Sequence, residues 1–270
     1  MNAQLQIQTH FAGGLTRLGK TYFTPPFKVA NITENKKSGW LQLMIMNSSP
    51  GILEGDNYEI LIELDKGSCL HLHSQAYLRL FQMKTEAIQH SVIRLADNCS
   101  FTYIPHPCVP HKHSSFKSGN KIYLSANCNL IWGEVLTCGR KLNGEVFLFS
   151  RYHTITEIYK EDKLIIKENL LLQPSRVDPK RIGQLEGWTH QASFIYFSAE
   201  DIKAESMDII HDWLAIQNDM EFGITQVSGN GILVRMLGHG AELLYDILIT
   251  LSIMIQELSV TKPAKPVYAS

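Results

Sequence analysis

The runs SFTYI at 100–104, KIYLS at 121–125 and NLIWGEVL at 129–136 decide the fold. Each is short and rich in β-branched and aromatic residues, and each is bounded by turn formers such as Asn, Pro or Gly. Outward from them the same texture recurs at 40–46, 58–64, 68–73 and 90–95, then at 145–158, 163–172 and 192–197. Short strands at regular spacing predict stacked sheets and not βαβ units. Asp65-Lys66-Gly67 and Leu142-Asn143-Gly144 read as hairpin turns, the second of Asn-Gly type. No repeat of 20–50 residues with a clear consensus stands out, so a strict solenoid is not predicted. The expected class is mainly β, with stacked sheets in a helical or sandwich-like scaffold.

The periodicity changes after about residue 201. Apolar residues at Ile202, Met207, Ile210, Trp213 and Leu214 predict a helix over 201–218, its regular part beginning at Ser206 or Asp208. A hairpin follows around Ser228-Gly229-Asn230. Residues 239–260 form the longest predicted helix, with Leu244, Ile247, Leu248, Leu251 and Ile255 on its apolar side. A helix so apolar must be covered, either by its own sheet or by a partner subunit. One β-rich domain over 1–260 and a flexible tail over 261–270 complete the expected organisation.

Composition bounds the function. Of 270 residues, 44% are hydrophobic and 19% charged, with a formal net charge of -1, enough for a sizeable core and too balanced for nucleic acid or an anionic membrane as partner. The N-terminus lacks a basic segment followed by an apolar run, so no secretory signal is read. The apolar stretch 247–255 is too short to span a bilayer. Five cysteines, an odd number, point to free thiols and a cytoplasmic protein. No P-loop, dinucleotide-binding glycine fingerprint, GxSxG or HExxH occurs, and Gly13-Gly14 sits in a turn where no phosphate would bind.

Several motifs occur in order along the chain. They are Thr24-Pro25-Pro26-Phe27-Lys28, Ser49-Pro50-Gly51-Ile52-Leu53-Glu54-Gly55-Asp56, Gly133-Glu134-Val135 with Cys138-Gly139-Arg140, Glu168-Asn169, and Val234-Arg235-Met236-Leu237-Gly238. Over residues 21–258 the sequence resembles the urease accessory protein D family, called H in some bacteria; the 49–56 block is the most specific part. The resemblance implies an all-β fold with helices near the C-terminus and no catalysis. It also implies a dimeric hetero-oligomer with accessory proteins F and G, the latter a nickel-carrying GTPase, docked on apo-urease. Protein F would meet the helical C-terminal region and urease the opposite β face. No tightly bound cofactor is implied, only nickel in transit.

The residues themselves suggest how an ion would move. Asp56 is presented by the turn of Pro50, Gly51 and Gly55, either as a transient oxygen ligand or as a cap on the turn's own N–H groups. Glu134 stands in an apolar strand, where a carboxylate costs several kcal/mol unless paired or solvated; Arg140 is one candidate partner and a wet passage the other. Glu168 poses the same question, with Lys167 on the opposite face. Ser74 and Gln75 offer neutral oxygens. Imidazole and thiolate hold nickel tightly, whereas oxygens and water release it, so Asp56, Ser74, Glu134 and Glu168 are expected to line a hydrated route.

A competing reading uses Cys69, His71 and His73, which alternate along one strand about 7 Å apart, and His106, Cys108, His111 and His113 in a proline-broken loop. These would be metal ligands of a β-barrel or jelly-roll enzyme. Neither group has the paired spacing of a strong metal motif, and the His-Lys-His at 111–113 departs from the apolar or aromatic residues expected of the family. A plain structural adaptor without ion contact is the third reading.

Overall fold

The computed structural model describes residues 1–228 and 230–259. Two sheets face one another. The hairpin of β1 (Asn2–Ala12) and β2 (Leu15–Phe23) starts the first sheet, and that of β3 (Phe27–Asn31) and β4 (Trp40–Asn47) starts the second. The chain then alternates. β5 (Asn57–Leu64), β8 (Ala87–Leu95), β11 (Ser115–Leu124) and β13 (Arg151–Lys160) join the first sheet. β6 (Cys69–Ser74), β9 (Ser100–Tyr103) and β12 (Asn129–Leu136) join the second, with β7 (Leu78–Leu80) and β10 (Cys108–Pro110) as short bridges beside it.

Each circuit adds one strand to each sheet, so β1, β5, β8, β11 and β13 pair in parallel, as do β4, β6, β9 and β12. The core of the molecule is therefore a flattened coil. β14 (Lys163–Leu172) and β15 (His190–Phe197) end the coil with antiparallel pairings to β13 and β12. After α1 (Ala204–Ala215), the hairpin of β16 (Met220–Val227) and β17 (Gly231–Gly238) extends the second sheet, and α2 (Ala241–Ser259) packs on its outer face.

Two expected hairpins are corrected. Asp65-Lys66-Gly67 is the corner between β5 and β6, which lie in different sheets. The segment 141–144 is a 3-10 turn ended by Gly144 in left-handed backbone, between β12 and β13. Strand β13 accordingly starts at Arg151, six residues after the expected start. A repeat is present after all. Left-handed corners at Gly67, Asn98 and Asn127 lie 31 and 29 residues apart and stack. Gly67 N–H donates to Asp97 O at 2.9 Å, Asn98 N–H to Ala126 O at 2.9 Å, and the Asn127 amide to the Asn98 side chain at 3.2 Å. Behind the corners the buried thiols of Cys99 and Cys128 each donate to a main-chain carbonyl at 3.1 Å. The expected turn at Ser228-Gly229-Asn230 joins β16 to β17, with Gly229 outside the described residues, as are 260–270, which include the expected tail.

One apolar core fills the space between the sheets, with Leu5, Leu43, Leu70, Leu72, Phe101 and Phe116 at its centre. A second lies between the outer face of the second sheet and the helices, where Leu244, Ile247, Leu248, Leu251 and Ile255 of α2 meet Ile131, Val135, Phe194 and Val234. Burial of each such aliphatic side chain contributes about 1.5–3 kcal/mol. The cover for the apolar helix is thus its own sheet. Among the described residues no helix is long and apolar enough to cross a membrane.

Candidate functional site: a cavity between the sheets

The space between the sheets is not apolar throughout. On the first sheet the inward positions change character two residues before an isoleucine: Ser91 before Ile93, Asn120 before Ile122, Thr156 before Ile158. Asn120 pairs in register with both Ser91 and Thr156, and Ser118 with both Gln89 and Thr154. Two rows of hydroxyls and amides therefore cross the inner face. All of these but Thr156 line a cavity of about 420 Å³, lined also by Tyr58, Tyr103, Cys108, Trp132 and Glu134 and by aliphatic side chains such as Ile45, Ile60 and Leu72. Its walls include loop residues Ser49, Pro50, Gly51, Gln75, Tyr77 and His106, which sit beyond the strand ends.

Glu134 reaches this cavity from β12, on the opposite sheet. Its Oε1 accepts hydrogen bonds from Trp132 Nε1 at 3.0 Å, Asn120 Nδ2 at 3.2 Å and Thr156 Oγ1 at 3.3 Å. Among the described residues no cation pairs with it. Arg140 is bound instead to Glu145, its Nε 2.9 Å from Oε2, and that guanidinium holds the Glu145 carboxyl down at about 2. Enclosure pushes the Glu134 carboxyl above the usual carboxylate range, opposed by the Trp132 and Thr156 hydrogen bonds and reinforced by the Glu168 charge. Even so Glu134 is only half-buried, because part of its surface faces the cavity.

Ser74 lines the same cavity. Its hydroxyl accepts the His106 backbone N–H at 2.8 Å and lies 3.0 Å from the His106 ring Nδ1. The His106 ring in turn stacks on Tyr245 of α2 at 4.9 Å, and Tyr77 donates to Glu242 at 2.5 Å. The first turns of α2 thereby brace one side of the cavity wall.

The other two expected route residues lie elsewhere. Asp56 is 4% exposed and does not line the cavity. Its carboxylate accepts the Leu53 N–H at 2.9 Å and the Tyr58 hydroxyl at 3.1 Å, and pairs with the Met1 ammonium at 3.0 Å. It fixes the 49–56 loop, whose Pro50 and Gly51 form part of the cavity wall. Glu168 pairs with Arg235 at 2.6 Å, tying β14 of the first sheet to β17 of the second. Lys167, on the other face, pairs with Glu157 at 2.8 Å.

The histidines and thiols are also dispersed. His71 and His73 stack at 3.9 Å on the face of β6 turned away from the inter-sheet core. Burial pushes His71 down to about 3 and lowers His73 as well. Cys69, on the same face, has its thiol raised by burial. Cys108 lines the cavity, His111 packs edge-on against Phe81 at 4.7 Å, and His113 occupies a left-handed turn. Among the described residues, no three His, Cys, Asp or Glu side chains gather so as to hold a metal ion.

The remaining motif residues Pro25, Pro26, Gly55 and Gly139 set turns and do not line the cavity. Pro25 and Pro26, joined by a cis peptide, turn the chain from β2 into β3, and the Pro26 carbonyl accepts the Ser48 N–H at 2.8 Å. Gly55 and Gly139 take left-handed backbone, and a Cβ at Gly139 would lie 2.8 Å from Glu145 O. Against known proteins, the family model described as UreD urease accessory protein matches residues 1–268. The chain belongs to the UreD urease accessory protein family. A UreD of Flavobacterium johnsoniae is 43% identical over 245 residues, covering 90% of this chain and 88% of that protein. UreD proteins of Acetivibrio thermocellus and Haemophilus influenzae are 36% and 34% identical, covering 91% and 90% of this chain and 94% of each relative. No sequence motif marks Asn120 and Thr156. The signal for them in this UreD chain is the polar residue in the inward phase of an otherwise apolar strand.

Proposed function

We propose that this chain acts in urease maturation as a non-catalytic cytoplasmic scaffold. It assembles with accessory proteins F and G on apo-urease and passes nickel through the hydrated space between its sheets. Family membership supports the accessory role. The observation that carries the interior route is Glu134, a carboxyl without a cationic partner among the described residues, facing a cavity whose wall mixes hydroxyls, amides and aromatic rings with aliphatic side chains. Oxygen donors of this kind bind nickel weakly enough to let it go, unlike a thiolate and imidazole cluster. Ser74 and Glu134 are the route residues. Asp56 holds the cavity wall in shape, and Glu168 with Arg235 pins the seam between the sheets.

The test is co-expression with accessory proteins F and G and apo-urease, followed by metal analysis of the purified urease. Glu134→Gln and Ser74→Ala are expected to lower nickel per urease active site while the F–G complex still co-purifies. Unchanged nickel content in the Glu134→Gln variant would remove the interior route and leave the scaffold.

A further inference from the structure

The hydrogen bonds to the Glu134 carboxyl converge on a single oxygen. Trp132 Nε1, Asn120 Nδ2 and Thr156 Oγ1 all donate to Oε1, and Asn120 also donates to Thr156 Oγ1 at 3.1 Å. The three donors come from both sheets, Trp132 from β12, Asn120 from β11 and Thr156 from β13. Asn120 is 4% exposed, Trp132 4% and Thr156 2%, so their rotamers are fixed by packing. A carboxyl held through one oxygen by three donors cannot swing, and its other oxygen, Oε2, accepts no hydrogen bond among the described residues.

We infer that Asn120, with Trp132, is a positioning residue that holds Glu134 with Oε2 facing the cavity, so that a divalent cation meets one aimed oxygen. This rests on the interior-route reading. The titratable groups that act on Glu134 are Tyr103, Cys108, Tyr152 and Glu168, all acids. Arg79 and His106 line the same cavity, but among the described residues no cationic side chain pairs with Glu134, so its aim sets how the carboxyl meets an incoming ion. Preorganised groups of this kind act by geometry, and loss of one donor costs about as much as a single hydrogen bond.

Asn120→Leu keeps the branched shape of the side chain and Trp132→Phe keeps an aromatic ring, and each removes one donor to Oε1. The readout is the rate of nickel appearance in apo-urease from the reconstituted complex with F and G, by metal analysis, beside thermal unfolding and co-purification as controls of folding. Each variant is expected to slow transfer by about three- to tenfold. In the Glu134→Gln background neither is expected to slow it further, because the group they aim is gone. A merely structural role predicts that the defects multiply in the double variants, and that result overturns the inference. So does wild-type transfer by both single variants while Glu134→Gln is slow. Wild-type transfer by Glu134→Gln itself overturns the route reading instead. If Asn120→Leu does not fold, Trp132→Phe decides.

Discussion

Asn127 donates its side-chain amide to Oδ1 of Asn98 at 3.2 Å, and both residues hold left-handed backbone, at φ 55° and 59°, on neighbouring corners of the coil. Left-handed backbone costs about 1–2 kcal/mol for most residues, while Gly adopts it freely and Asn with little penalty. Asn127→Gly is therefore expected to unfold close to the wild type in urea, and Asn127→Val about 1–2 kcal/mol earlier. Equal stability of the two variants would mean the corner does not depend on that conformation.

Gly51 is a glycine for lack of room. A Cβ there would lie 2.2 Å from Arg79 O and 2.9 Å from Phe81 Cε2, where Ile52 N–H donates to the same Arg79 carbonyl at 2.8 Å. Gly51→Ala must push β7 away, at a cost of about 1–3 kcal/mol. Because Gly51 and Arg79 both line the cavity, slower nickel transfer is expected along with a lower melting temperature. Calorimetry and the transfer assay check the two effects separately.

Acid should weaken the molecule through His71. Burial favours its neutral form, so its folded pKa of about 3 lies below the ordinary 6.5. Between those values the unfolded chain binds more protons, and stability falls as pH drops below about 6.5. From pH 7 to pH 5 the loss from this one group is about 2 kcal/mol. His71→Phe should flatten that slope, seen as a smaller drop in melting temperature over the same interval. An equal drop in both proteins would place the acid sensitivity elsewhere.

The two outlying carboxylates should behave differently. Arg235 is 60% exposed, so Arg235→Gln is expected to cost under about 1 kcal/mol, less still at high salt. Asp56 is enclosed and serves three partners, and Asp56→Ala should cost about 3 kcal/mol or more. Urea titrations at low and high salt separate the two.

Much of this architecture is legible in the order of the residues. The inward phase of each strand is written in its alternation, as in Leu5 and Ile7 of β1, and α2 announces itself by its apolar stripe. Alternation specifies only that one face is buried. It carries no record of which strand lies alongside, because the ladder between strands is made of backbone groups common to all residues. Parallel sheets covered on both faces usually lose the alternation. Here the outer face of the first sheet is open, so its strands alternate like those of an antiparallel sandwich. The trace of the coil in sequence is the corner set Gly67, Asn98 and Asn127.

The same division holds at the cavity. That Glu134 stands in an apolar strand, and must therefore be paired or wetted, follows from sequence and the cost of burying charge. Which of those it is could not follow, since Asn120 and Thr156 lie on the other sheet and reach it only when the two sheets stack. Stacking also brought Arg235 to Glu168, whereas Arg140 meets Glu145 across the local turn at 141–144. Sequence determines what each strand must bury; the packing of one sheet against the other determines what each buried group meets there.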